Sequence, residues 1–474
     1  MTRFPKSSVL VGSLLLSACA TTPYQTPVVE VPAQYDGSTV AGGKSQVVAS
    51  AEYPPSDVSA DRWWTAFGDS GLDRLVSRVL ERNPDLAVAT LRVRRAQLSA
   101  GLSRDSRYPH LSGQLGASDS RDLDSGETSG TSYSAGRSVS YEVDLWGRLK
   151  LGSDIAQWQA NATTEDREAT ALALVGTAAN AYWQLGYLNQ RLLVGEDSLQ
   201  RSRRTLELVS TQYKAGAVSR LEWREAQQSL DSQIAALAAL RQQRQNVRQT
   251  LALLLDGEFW PEAAEPQDLS AAQSPEIPSG LPAELLGRRP DLRAAELRLR
   301  ASLADVDSTR LSYYPSLSLT GSMGSGSSSL ANVLKNPVIT LGAGLSLPFL
   351  RFNERQLAIA TAKTDYDIAA VQFRQTLLAA LSDVDVTLSA RDAWNTQVAS
   401  LTRSLEQARE IERLYEVRYR AGAVALRNWL DAQESRRNAE LSLAQARLSQ
   451  LQNDISLFQA LGGNARRPAG DEED

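Results

Sequence analysis

Cysteine and histidine are almost missing: a chain of 474 residues carries one of each. Metal sites and most nucleophilic triads draw on clusters of these side chains, so enzyme chemistry has little to work with. No catalytic residue, metal or cofactor is expected. Excess positive charge is missing too. Fifty Lys and Arg against 55 Asp and Glu leave a net charge of -5, interleaved along helical faces. No basic stripe is available to follow a phosphate backbone, and no nucleic-acid partner is expected. Proline is absent from the whole interval between Pro109 and Pro261, so nothing in it interrupts a helix.

What the chain does have is a repeat. The stretch Gln212-Tyr213-Lys214-Ala215-Gly216-Ala217-Val218 returns as Arg418-Tyr419-Arg420-Ala421-Gly422-Ala423-Val424, an interval of 419 − 213 = 206 positions. The same interval links Pro84-Asp85-Leu86 to Pro290-Asp291-Leu292, Tyr108-Pro109 to Tyr314-Pro315, Ala226-Gln227 to Ala432-Gln433, and Gly257 to Gly463. One offset shared by all these anchors means a duplicated unit with no net length change inside it.

The amino terminus reads as a targeting segment. Arg3 and Lys6 precede an apolar run from Val9 to Leu16 that ends in Leu16-Ser17-Ala18-Cys19. That run is far short of the about 20 residues needed to cross a bilayer, so it is an export signal and not an anchor. The Leu-Ser-Ala-Cys end resembles the bacterial lipoprotein signal, and the expected division is a signal peptide (1–18), a lipid anchor and Pro-rich tether (19–65), a first copy (66–260), an equatorial connector (261–282), a second copy (283–466) and an acidic tail (467–474).

Within each copy the hydrophobic period changes twice. A helix from about Asp69 to Arg107, interrupted at Asn83-Pro84, gives way to strands at about 108–118 and 133–146. There Leu111, Gly113 and Leu115, then Val139, Tyr141 and Val143, alternate with small polar residues. A breaker-free helix then runs from Arg148 to Tyr213, roughly 100 Å at 1.5 Å per residue. It ends at Gly216, where glycine supplies a left-handed cap, and a helix returns from about Ser219 to Leu255. The second copy repeats the order: a helix from about Ala283, strands at about 314–323 and 338–348, a helix from about Asn353 to Tyr419, a turn at Gly422 and a final helix. In that last helix Leu441, Ala444, Leu448, Leu451, Ile455 and Phe458 make a coiled-coil seam. The first copy lacks this seam, with Gln242, Gln245 and Gln249 at matching positions.

Each strand has the about 9–11 residues that cross a membrane as tilted β-structure. Two hairpins on a soluble sheet are the plainer reading. Against it, Tyr108, Trp146, Tyr313, Tyr314 and Phe349 fall at one end of the hairpins, as an interfacial girdle would. Open edges are not tolerated in lipid and four strands are too few to close a barrel, so the chain is expected to form a homotrimer with twelve strands.

Together the Leu-Ser-Ala-Cys box, the duplicated unit and the paired Tyr-x-x-Gly turns resemble the TolC/OprM outer-membrane efflux channels, specifically their lipoprotein (NodT) branch. The resemblance implies a mainly α fold with a transmembrane β-barrel continued by a long periplasmic α-helical barrel. It implies acylation of Cys19, residence in the outer membrane, and docking to a periplasmic adaptor and an inner-membrane pump of the RND type that expel small molecules. It also implies that Tyr213, Gly216, Tyr419 and Gly422 form the periplasmic tips, with Glu222, Arg427 and Asp431 as candidate gate residues. Val424 stands where the archetype has arginine, which departs from an arginine-locked gate. Read singly, the carboxylates are ordinary helix-face charges. The alternatives are a protein-secretion duct and a non-conducting structural lipoprotein.

Overall fold

The computed structural model describes residues 22–24, 30–32, 44–46, 62–121, 128–269, 272, 274–275 and 285–463. Cys19, the signal peptide, most of the tether and the acidic tail lie outside them. The first copy comprises α1 (Ser70–Arg82), α2 (Pro84–Asp105), β1 (His110–Arg121), β2 (Thr128–Val143), α3 (Arg148–Lys214) and α4 (Arg220–Leu254). The second comprises α5 (Pro290–Leu311), β3 (Ser316–Ser327), β4 (Val338–Ser346), α6 (Phe352–Arg420) and α7 (Leu426–Ala460). A short helical turn, Leu285–Arg288, precedes α5. The expected continuous helix from Ala283 therefore breaks before Pro290, which has no N–H to donate and takes the first helical position.

The break before each proline is tied down the same way by different chemistry. Asn83 accepts from the Asp85 and Leu86 N–H groups and donates to the Leu254 carbonyl at 3.1 Å. One period later Arg289 holds Asp291 and donates to the Ala460 carbonyl at 3.3 Å. Positions 254 and 460 are themselves 206 apart, so each bond joins the start of one helix to the last turn of the returning one.

The chain divides into two units. One gathers the hairpins with Leu91–Glu165 and Ala294–Gln375. Its sheet is antiparallel in the order β1-β2-β3-β4, and β2–β3 joins the copies, with Tyr141 opposite Leu319 and Val139 opposite Gly321. At the helix end the strands fall short of expectation, starting at His110 and Ser316 and stopping at Val143 and Ser346, whereas at the loop end pairing runs on to Arg121 and Ser327. Ladder bonds need only backbone, so they continue where the apolar alternation stops. Among the described residues the outer edges of β1 and β4 pair with nothing. Leu115 and Leu341 on this sheet are 86% and 84% exposed. Trp146 stacks edge-on against Tyr314 and donates to the Pro315 carbonyl at 2.7 Å. Tyr313 corrects the expected girdle: it is buried, its hydroxyl on Glu354 at 3.3 Å.

The other unit holds the described parts of Val28–Thr90, Asp166–Arg293 and Thr376–Asp474. Its core is aromatic. Trp63, Trp64 and Phe67 pack with Leu72, Leu75 and Val79 of α1, Tyr182 and Trp183 of α3, and Leu448 and Ile455 of α7. Each ring removes roughly 150–250 Å² from water, about 4–6 kcal/mol at 25 cal/mol/Å². Asp69 caps α1, accepting from Gly71 and Leu72 N–H, and also receives the Tyr182 hydroxyl at 2.9 Å. Burial, with the Asp69 charge next, pushes that hydroxyl well above the ordinary tyrosine range. The predicted seam of α7 is buried at Ala444, Leu448, Leu451 and Ile455, and the stripe is widened by Leu443, Ala446 and Leu457. α4 buries only Ala226, Leu237, Leu240, Leu251 and Ala252. No helix among the described residues is long and apolar enough to cross a membrane.

Candidate functional site

Both glycine turns close identically. The Ala217 N–H donates to the Gln212 carbonyl at 2.8 Å and the Ala423 N–H to the Arg418 carbonyl at 2.9 Å, the long bond of a Schellman cap. Gly216 and Gly422 sit at φ +74° and +73°, where a Cβ is disfavoured. Behind each turn a Tyr stacks on a Trp: Tyr213 on Trp223 at 5.9 Å, and Tyr419 on Trp429 at 5.4 Å. These tryptophans lie 206 positions apart, so the repeat offset contains the signal for the pair.

The two turns share one apolar cluster, in which Val209, Ala226, Leu426 and Trp429 are buried and Trp223, Tyr415 and Tyr419 pack against them. Among the described residues one polar contact crosses it. The Tyr419 hydroxyl donates to Gln212 Oε1 at 3.0 Å. Burial raises the Tyr419 hydroxyl above its ordinary range, the Gln212 bond opposes this, and the Glu222 charge adds to it.

Of the charged candidates, Glu222 is committed to a helix start. It accepts from Ser219 N–H at 2.8 Å while Ser219 Oγ accepts from Glu222 N–H at 3.5 Å, a complete capping box. Arg427 and Asp431 face each other at 3.8 Å with side chains 74% and 71% exposed. An exposed pair of this kind contributes about 0–1 kcal/mol and is screened by salt. The structure thus places Tyr419 in the cluster, stacks exposed Tyr213 on its Trp223, commits Glu222 to the helix cap and leaves Arg427 and Asp431 exposed.

Further along the same helices lies a charged cleft of about 510 Å³, lined by Asp197, Arg201, Arg409, Glu412, Arg436 and Glu440 among others. Arg436, 9% exposed in its side chain, pairs with Glu412 and with Glu440, the latter at 2.6 Å; Arg409 reaches Glu440 at 3.0 Å. No motif in the sequence marks this network. One period earlier its members Glu412, Arg436 and Glu440 correspond to Leu206, Leu230 and Ile234, so charge replacing an apolar stripe was the available sign. Among the described residues no group of His, Cys, Asp or Glu is arranged to hold a metal ion.

The outer membrane efflux protein family matches this chain twice, over residues 75–257 and 281–463, one match per copy. The chain belongs to the outer membrane efflux protein family. Among its relatives, the pyoverdine export outer membrane protein OpmQ of Pseudomonas putida is 34% identical over 95% of this chain and 96% of its own. The probable efflux pump outer membrane protein TtgC of the same species is 30% identical over 96% and 95%. The fold of this efflux protein superposes on the open-state MtrE outer membrane channel of Neisseria gonorrhoeae with a TM-score of 0.79 at 28% identity, covering 94% of this chain and 99% of that one. A mainly helical, internally duplicated protomer with one four-stranded antiparallel sheet is therefore common to this efflux protein and its solved relatives.

Proposed function

We propose that this member of the family is the passive exit duct of a tripartite pump, assembled as a homotrimer. In this reading three four-stranded sheets close one twelve-stranded barrel in the outer membrane, and the long helices continue it as a periplasmic tunnel. The observation that carries the reading is the sheet itself: an apolar face exposed at Leu111, Leu115, Leu341 and Leu345, and outer edges on β1 and β4 without partners among the described residues. Unpaired edges cost several kcal/mol per backbone group in lipid, and sister chains remove that cost. Exposed Leu357, Val371 and Val386 along α6 support the same assembly, since a neighbouring copy would cover them.

A periplasmic adaptor and an inner-membrane pump of the RND type deliver small molecules to the duct, and Cys19 carries acyl chains that hold its amino terminus in the membrane. The glycine turns form the gate. Three copies of Asp431 around a narrow opening repel one another and attract cations, and Arg427 moderates that charge. Purified protein in planar bilayers is expected to give stepwise single-channel conductance; a sealed protein rejects the duct. Asp431→Ala is expected to raise resting conductance, and an unchanged value in an assembled trimer removes Asp431 from the gate. Labelling with a fatty-acid analogue is expected for the wild type and not for Cys19→Ala.

A further inference from the structure

One residue breaks the alternation of the sheet. On the apolar face of β2 the odd positions run Tyr133, Ala135, Arg137, Val139 and Tyr141, so a guanidinium stands midway between two tyrosines. Its neighbours across the ladder are Gly113 on β1 and Met323 on β3, and Met323 is followed by Ile339 on β4. Arg137 is exposed, as are Leu115, Val139 and Ile339 around it. Gly113 leaves the flank open: a Cβ there would meet nothing nearer than 3.9 Å. Among the described residues no carboxylate pairs with Arg137. Asp119, the acid on the same face, accepts from Thr131 Oγ1 at 3.1 Å, six positions before Arg137 on β2.

A second cation, Lys335, stands on the β3–β4 loop. Ser325 lies opposite Ala135, one step from Arg137 on this face, and its hydroxyl donates to the Val333 carbonyl. That bond folds the loop onto the sheet. The loop then presents Leu330 and Leu334, 66% and 76% exposed, beside exposed Lys335. Beyond Met323 the β3 face turns polar at Ser325 and Ser327, whereas on the helix side it stays apolar through Leu319 and Leu317. A long arginine stem at this height reaches the nearer polar boundary, on the loop side.

Basic groups flanked by exposed aliphatic side chains suit an anionic lipid. We propose that Arg137 and Lys335 bind the phosphate of lipid A, the phosphorylated glycolipid of the outer leaflet, with its acyl chains lying over Leu115, Val139 and Ile339. This rests on the reading that the sheet spans the outer membrane with its loops outward. A guanidinium facing lipid is otherwise unpaired, and phosphate offers it charge-assisted, two-pronged hydrogen bonds.

The test titrates lipid A into the purified full-length protein in detergent and counts bound lipid by native mass spectrometry, with phosphatidylglycerol as the competing phosphate source. The wild type is expected to retain lipid A in preference, Arg137→Leu to bind it about tenfold more weakly, the double variant with Lys335→Gln more weakly still, and Arg137→Lys to keep much of the binding. Binding by Arg137→Leu equal to wild type, or equal retention of phosphatidylglycerol, overturns the lipid A site. Single-channel recording on the same samples separates the two levels. A conducting protein that binds lipid A without need of Arg137 rejects this site alone, whereas failure to insert into bilayers rejects the membrane reading beneath it.

Discussion

At one place in the repeat the two copies carry opposite charge and use it for the same task. Arg248 of α4 pairs with Glu262 and, at 3.0 Å, with Glu265, whose side chain is 1% exposed. Arg244 adds a second bond to Glu265 at 2.6 Å, and Asn189 of α3 reaches the Pro266 carbonyl at 2.9 Å. One period later stands Asp454 of α7, fully buried. It accepts from the Ser274 hydroxyl at 2.6 Å and lies 3.4 Å from Arg391, which also donates to the Pro275 carbonyl. The connector between the copies is thus held at residues 262–266 by cations and at residues 274–275 through an anion. Duplication preserved the position of the tether while its sign changed, because the partners lie in the connector, which is not duplicated.

The two tethers are expected to fail differently. Glu265→Ala leaves Arg244 and Arg248 without their shared buried partner and should cost about 3–5 kcal/mol. Denaturant unfolding measures it, and a loss below about 1 kcal/mol would show that solvent reaches the arginines. The Asp454 side should show itself in pH. Burial raises its carboxyl above the usual range, while the Ser274 bond and Arg391 pull it down. A raised value means that the folded state holds the proton more tightly. The contribution is then fully present below about pH 4, the ordinary carboxylate value, and is lost as pH rises through the folded value. Asp454→Asn keeps an acceptor for Ser274 and cannot titrate, so thermal unfolding should depend less on pH from acid to neutral. An unaltered slope would exclude this carboxyl.

The smallest effects belong to the glycine turns, where the copies differ at the following helix start. Ser219 caps α4, whereas Ala425 begins α7 with an extended backbone and no side-chain acceptor. Ser219→Ala is expected to lose about 1 kcal/mol, and Ala425→Ser to gain up to about 1 kcal/mol by offering an oxygen to the first turn of α7. If Ala425→Ser gives no gain in unfolding midpoint, the second turn is not limited by its cap.

Much of this was legible in the residues. The 206-residue offset located both glycine turns, and the absence of proline allowed the long helices. Period-two alternation found all four strands, although β1, β2 and β3 run further at the loop end and every strand stops two or three residues short at the helix end. The candidate site was legible in part. Spacing located Tyr213 and Tyr419 but could not tell that Tyr419 reaches Gln212 of the other copy, or that Glu222 is held by Ser219. The pair of buried Glu412 and Arg436 with half-buried Glu440 was missed because charge on a helix reads as solvated until its neighbours are known.

Sequence by itself determined the duplication, the order of elements and the family, since period, breakers and glycine caps act locally and leave their record in spacing. Tertiary structure alone decided which charges are buried, which tyrosine left the girdle for the interior, and how each copy grips the connector. Those outcomes depend on atoms brought together from separate elements, 41 positions apart for Tyr313 and Glu354 and 180 for Ser274 and Asp454, and no local pattern encodes such a meeting.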